Sequence, residues 1–299
     1  MAMTNPTGRA NYEPNSWGEE GGPRENTESG FRSYQDEIQG PKQRVRSETF
    51  SDHYSQARQF YISQTGIEQA HIADAFVFEL SKVEREDIRA RMVSHLLNID
   101  GDLATKVAQG LGLAEMPESA RAAMPTREDL PASHKLSILR NGPDSFKGRR
   151  LGVLVTEAAN AEMLAALKQA VEDEGANLAV IAPTIGGVKA SDGTHIPADE
   201  KIDGGPSVLF DAVVLVTADQ GMEQLAQHGP ARDFVNDAFA HCKFIGYTRE
   251  ALPLFKSAGL DNKLDEGCIA LDESADAADF LHSCKQLRFW KREEDVNKV

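Results

Sequence analysis

The spacing of apolar and polar residues changes three times along this chain, and each change marks a different kind of structure. From Ser51 apolar positions recur every three to four residues, the helical period. Tyr54, Ala57 and Tyr61 share one face of a first helix that Ser51 is placed to cap and Gly66 to end. Ile72, Phe76, Leu80 and Val83 continue the pattern in a second helix, and Ile88, Met92 and Leu96 in a third. A fourth starts near Asp100, with Leu103, Val107 and Leu111 inward, and stops at Gly110 to Gly112. Four short amphipathic helices with tight connections predict a small bundle over residues 51–113.

Residues 114–148 break that period. Pro117, Pro125, Pro131 and Pro143 stand among charged and small residues, which excludes a long helix and predicts a linker. From 149 to 299 short apolar runs alternate with helical stretches. Leu151 to Thr156 reads LGVLVT, the unbroken apolar run of a strand covered on both faces. A helix with Leu164, Leu167 and Val171 inward follows and ends at Gly175. The strand ANLAVIAPT comes next, then a hairpin turn at Asp192-Gly193 and the strand DAVVLVT from Asp211 to Thr217. A helix opened by Pro230, the strand KFIGYT, a helix to Gly259, the strand GCIALD and a last helix with Phe280, Leu281, Cys284 and Leu287 complete the series. This rhythm predicts a doubly wound parallel α/β sheet.

Residues 1–50 show neither period and are rich in Gly, Pro, Asn, Glu and Arg. Such a segment buries too little apolar surface to order itself. Its aromatics, Tyr12, Trp17, Phe31, Tyr34 and Phe50, are spaced like anchors on an extended strap that needs another surface. Composition narrows the function classes. A net charge of −15 disfavours nucleic-acid and anionic-membrane partners. No run of apolar residues is long enough to span a bilayer, and no signal peptide opens the chain. Three scattered cysteines point to a reducing, cytoplasmic setting.

Two stretches carry a family resemblance: GRANYEPNSW, from Gly8 to Trp17, and the continuous run RSYQDEIQGPKQRVRSETFSDHYSQARQFY, from Arg32 to Tyr61. With the helical region after them they resemble the end of the wrapping loop and the helical domain of the large-subunit haem catalases. The α/β half is similar to that family's flavodoxin-like C-terminal domain, related to the class I glutamine amidotransferase and DJ-1/PfpI fold. The resemblance implies four parts: a wrapping-loop segment at 1–50, a helical domain at 51–113, a linker at 114–148 and the α/β domain at 149–299. It implies a parent that converts hydrogen peroxide to water and oxygen with haem, as a cytoplasmic homotetramer. It also implies that the proximal Tyr and the distal His and Asn precede the sequence given, so no catalytic, cofactor-binding or metal-binding residue is expected within it. NADPH, bound beside the helical domain in small-subunit catalases, is not expected.

The candidate chemistry agrees with that absence. A haem needs an anionic axial oxygen and a distal proton carrier. Tyr54 and Tyr61 fall on the packed face of a helix, and none of Tyr12, Tyr34, Tyr54, Tyr61 and Tyr247 sits in the family's proximal pattern. His53, His71 and His95 match the helical domain and read as structural. In DJ-1-like relatives a cysteine nucleophile stands on the sharp turn after a core strand. The alignment of LFKSAGL (Leu254 to Leu260) places Arg249 there, followed by Glu250 where those relatives often have His. Cys242 precedes the strand, Cys268 opens a later one and Cys284 lies on a buried helix face; all three read as inert thiols. Glu157 and Glu162 flank the place of the supporting acid. Thr156, Thr217 and Thr248 end strands where α/β sheets bind ligands, but no glycine-rich phosphate loop follows them, so they read as helix caps. His241-Cys242 is the nearest approach to a metal pair, and adjacent helical residues diverge. A non-enzymatic stabilising or chaperone-like module is the competing reading, and a DJ-1/PfpI-like hydrolase the third.

Overall fold

The computed structural model describes residues 35–37 and 39–296. The strap anchors Tyr12, Trp17, Phe31 and Tyr34 lie outside them; Phe50 lies within and is exposed. The chain divides into two compact units, one ending at Gly142 and the other beginning at Pro143.

The first unit is built from α1 (Ser55–Ser63), α2 (Gly66–Ser81), α3 (Glu86–Leu96) and α4 (Gly101–Gly110). Their starts follow from side chains that accept orphan backbone amides. Ser51, expected as the first cap, lies in a separate 3-10 turn. Asp52 fills the role instead, its carboxylate accepting from the amides of Tyr54 and Ser55. Thr65 and Glu68 form a reciprocal capping box at α2, and Asp100 accepts from the amides of Asp102 and Leu103 at α4. Tyr61, Val93, Leu96, Leu103, Ala104 and Val107 meet in the core. Gly110 lets α4 approach α2 closely, because a Cβ there would lie 2.5 Å from Val77. Ile88, expected inward, faces outward, since α3 turns Val93 and Leu96 to the core instead.

Residues 114–142 do not trail from the bundle; they lie along it. The amide of Ala120 donates to the Ser94 carbonyl, and Asn98 Nδ2 donates to the Ala120 carbonyl. Farther on, the amides of Arg127 and Ser133 donate to the hydroxyls of Ser55 and Ser63. A short α5 (Ile138–Asn141) closes the unit. Its entry is tied to Glu68, which accepts from the Ser137 hydroxyl and the Leu139 amide. The prolines that forbid a helix here leave backbone groups free for these side-chain partners.

The second unit contains, in order, β1 (Arg150–Val155), α6 (Ala161–Asp173), β2 (Asn177–Ala182), β3 (Val188–Lys189), β4 (His195–Ile196), β5 (Glu200–Lys201) and β6 (Ala212–Val216). It continues with α7 (Asp219–Gln227), α8 (Gly229–Ala240), β7 (Ile245–Tyr247), α9 (Leu252–Ser257), β8 (Cys268–Ala270), α10 (Asp276–Cys284) and α11 (Glu293–Val296). Six strands form one parallel sheet in the order β5-β2-β1-β6-β7-β8, while β3 and β4 make a separate hairpin. The sheet is the flavodoxin order with one short strand added at an edge. Helices therefore follow a parallel sheet, as the sequence pattern predicted.

Both faces of the sheet are covered, which is why its strands read as continuous apolar runs. Val153, Val155, Val214 and Val216 pack with α6 and α10 on one side. Leu154, Val213 and Leu215 pack with α7, α8 and α9 on the other. Phe146, before β1, already belongs to the first of these cores. Two buried cations, unforeseen in the sequence, tie the amino ends of the strands. Lys243 Nζ donates to the carbonyls of Ser207 and Phe210 at 2.6 and 2.7 Å. Arg292 lies over the Phe239 ring, forks onto Asp265 and donates to the Lys243 carbonyl.

Candidate functional site

In open parallel sheets the crevice outside the carboxyl ends of the strands, where the strand order reverses, is the usual ligand position. Here the reversal falls between β1 and β6, and a cleft of about 990 Å³ opens beside it. Its wall is assembled from the turn after β1, the start of α6, the β3–β4 hairpin and the segments that follow β6, β7 and β8.

Two of the three strand-end threonines bind these segments together through their hydroxyls. Thr156 Oγ1 accepts from the amide of Ala218 at 2.8 Å, and Thr248 Oγ1 accepts from the amide of Thr217 at 3.1 Å. They are therefore braces between neighbouring strand ends, not the helix caps expected; α6 is capped by Asn160, and α7 begins after Ala218 with no side-chain cap. Neighbouring parallel strands end at the same level, so a hydroxyl reaches the adjacent chain more readily than its own helix. Thr217 is 2% exposed, and its hydroxyl has no hydrogen-bond partner among the described residues.

The turn after β7 is the elbow. Arg249 opens a 3-10 turn there, with Glu250 next to it, and both line the cleft. The guanidinium forks onto Asp272 after β8 at 2.6 and 2.8 Å. Mutual hydrogen bonding and attraction raise the Arg249 pKa and lower that of Asp272. An arginine so held is a permanent cation without nucleophilic character. In the β1–α6 turn, the carboxylate of Glu157 accepts from the amide of Lys189, which fastens the β3–β4 hairpin to that turn. Glu162 lines the cleft from the first turn of α6. Ala158, between them, adopts φ 61°, a left-handed conformation that costs a non-glycine residue about 1 kcal/mol or more.

The cysteines sit elsewhere. Cys242 precedes β7, at the opposite end of that strand from the elbow; Cys268 opens β8 and Cys284 ends α10. All three are buried and free. Burial pushes each thiol up, that of Cys268 to about 11, so the thiolate is disfavoured at neutral pH.

In the helical unit, Tyr54 Oη lies 2.8 Å from His95 Nδ1, and the His53 ring meets Tyr54 edge-on. Tyr61 is buried in the core, where loss of water raises its pKa. Tyr247 packs edge-on against Phe255. A haem would need an axial oxygen facing a flat apolar slot, and these tyrosines are instead turned into protein contacts. The described residues therefore do not fit a haem by themselves. Among them, no three His, Cys, Asp or Glu side chains converge closely enough to hold a metal ion. Among the described residues, no helix is long and apolar enough to cross a membrane.

Comparison with known proteins divides the chain along the same lines as its geometry. Residues 47–111 match the family model described as catalase-related immune-responsive. Residues 147–294 match that of the C-terminal domain found in long catalases. Among similar proteins, Catalase C of Rhizobium meliloti is 56% identical over 99% of this chain and 42% of its own length. Catalase HPII of Pseudomonas putida is 38% identical over 98% of this chain and 41% of its own. Catalase-2 of Bacillus subtilis is 30% identical over 89% of this chain and 38% of its own. The chain thus spans about two fifths of the length of these relatives.

Proposed function

Since this chain belongs to the long-catalase family, as its C-terminal portion, we propose that it serves within a haem-dependent catalase that converts two hydrogen peroxide molecules to two water molecules and oxygen. The observation that carries this reading is the pairing of two family matches in one order, each on its own compact unit. In it, residues 1–50 strap neighbouring subunits of a cytoplasmic homotetramer that takes part in the response to oxidative stress. The helical unit walls the haem-bearing core, and the α/β unit is auxiliary. The haem and the residues that act on peroxide belong to the rest of the enzyme.

The exposed aromatics of the helical unit support a covered face. Phe60 and Phe78 are 46% and 62% exposed, although side chains of this size normally bury most of their surface. The experiment is direct. The purified 299-residue chain, supplied with haemin, is expected to give no Soret band shifted from that of free haemin and no peroxide-dependent oxygen release above that of haemin alone. A Soret band with turnover comparable to an intact long catalase would overturn the assignment of the reaction centre to other sequence.

The same exposed aromatics favour a second reading, a stabilising or chaperone-like module that shields apolar surface. Light scattering separates the two, because a chain that fails to slow aggregation of a heat-labile protein has no general holding activity. A DJ-1-like hydrolase ranks last, with Arg249 at the nucleophile position and every thiol buried.

A further inference from the structure

Two tyrosines of the helical unit are buried, and only one of them has a base within reach. Tyr54 immediately precedes α1 and Tyr61 lies within it; they are 7% and 4% exposed. Tyr54 Oη is 2.8 Å from Nδ1 of His95 on α3. The Tyr61 phenol makes no hydrogen bond with described residues. The difference is chemical as well as structural. A phenol gives up an electron readily only if its proton leaves too, because the oxidised phenol is a strong acid. In a buried position that proton needs an acceptor already in place, within hydrogen-bond reach. The imidazole tautomer with its hydrogen on Nε2 presents Nδ1 as such an acceptor.

A second observation bears on the other half of the transfer. His95 lies in the last turn of α3, where backbone carbonyls without helical partners favour positive charge. An imidazolium formed there is stabilised by the helix that carries it.

We propose that Tyr54 and His95 form a redox-active pair, in which a one-electron oxidant takes an electron from the Tyr54 phenol while the proton crosses to His95 Nδ1. The O–H bond of Tyr54 breaks and an N–H bond forms on His95. The products are a neutral phenoxyl radical, an imidazolium and the reduced oxidant. A one-electron donor of the ascorbate type reverses the step, and the same proton returns. Separate paths matter at a buried ring: an electron can cross intervening protein, whereas abstraction of a hydrogen atom needs contact with the oxygen. In the cell the oxidant is a peroxide-derived radical, and for that source alone the proposal rests on the peroxide-metabolising reading above.

Pulse radiolysis of the full 299-residue chain in azide solution tests the pair with an added oxidant, the azidyl radical, so its outcome is separate from that of the haem experiment. The tyrosyl radical is followed by its visible absorption and by electron paramagnetic resonance of frozen samples. A persistent tyrosyl signal is expected, lost in Tyr54→Phe and retained in Tyr61→Phe, which removes the same hydroxyl from another buried ring. His95→Gln keeps a polar partner for Tyr54 but cannot hold the proton, and should form the radical about a hundredfold more slowly. High-field spectra of the unaltered chain give a readout that does not depend on that variant folding. A proton held on His95 donates back to the phenoxyl oxygen and lowers the largest g component of the radical. A signal that survives Tyr54→Phe overturns the proposal. So does an unchanged rate in folded His95→Gln, or a g component that shows no hydrogen bond, since either makes the pair a packing contact only.

Discussion

At the scale of single residues, Arg249 and Glu68 show how a charged side chain ties separate segments of the fold together. Arg249 stands on the turn where related folds place a nucleophile, and its fork onto Asp272 makes the turn a crosslink between the ends of β7 and β8. Arg249→Cys would restore a thiol there but not a base to activate it. A helix terminus alone contributes about 0.3–1 kcal/mol, well below what covalent catalysis requires. The variant is expected to fold, to react with iodoacetamide and to show no glyoxalase, deglycase or peptidase turnover; steady-state assays against each substrate class check this. Glu68 is the counterpart in the helical unit. Burial alone would push its carboxyl up, but the amides of Thr65 and Leu139 and the hydroxyls of Ser137 and Thr65 outweigh that and hold it at about 2. Its folded pKa is below the unfolded value of 4.5, so its stabilisation is fully present above pH 4.5 and disappears as the pH falls towards 2. Glu68→Gln should lower the stability of the helical unit by about 1–2 kcal/mol at pH 7. The difference between the two proteins in urea unfolding should close progressively below pH 4.5.

Single elements depend on these side chains as much as on their apolar faces. α8, β7 and β8 illustrate it, because all three lean on a cation contributed from the 3-10 turn just before α11. The Arg292 side chain has no exposed surface, yet it forks onto Asp265 and crosses the Phe239 ring with its guanidinium carbon 4.3 Å from the centroid. Phe289 and Arg292 also crowd Gly267, where a Cβ would lie 2.6 Å from the guanidinium. Removing one member of a buried pair strands the other. Arg292→Ala is therefore expected to cost on the order of 3 kcal/mol, the lower part of the range because Asp265 still reaches water. The double variant Arg292→Met/Asp265→Leu should recover much of that loss. Chemical denaturation of the three proteins measures both effects.

The whole molecule is two folding units whose border is set by where side chains find partners. Residues 114–136 carry hydrogen bonds to α1 and α3 along their length, so proline content alone does not expose them to cleavage. Gly142 to Ser145 stand between α5 and the buried Phe146, with Pro143 and Asp144 exposed. We expect brief digestion with a low-specificity protease to cut there first, releasing an α/β fragment of about 155 residues that stays folded, as its size and separate cores allow. Mass spectrometry of the fragments locates the site; a first cut between 114 and 136 would show that the arm is held too weakly to count as part of the helical unit.

The sequence by itself was enough for everything that depends on local periodicity and composition. The four helices of the bundle, the β/α alternation and the Asp192-Gly193 turn follow from neighbouring residues, because the spacing of apolar groups and the choice of turn residue act within a few positions. Family wording from Arg32 to Tyr61 was likewise legible without coordinates. What only the tertiary structure decided is how polar groups distant in sequence are satisfied. That Asp52 and not Ser51 caps α1, that Thr156 and Thr248 brace strands instead of capping helices, and that the proline-rich arm lies on α1 and α3 depend on partners brought close by folding. The buried Lys243 and Arg292 carry no local signature, since a charged residue reads as exposed until the structure supplies its carbonyls, carboxylate and aromatic ring. The cleft beside β1 and β6 belongs to the same class: residues from six segments line it, and only the order of the strands brings them together.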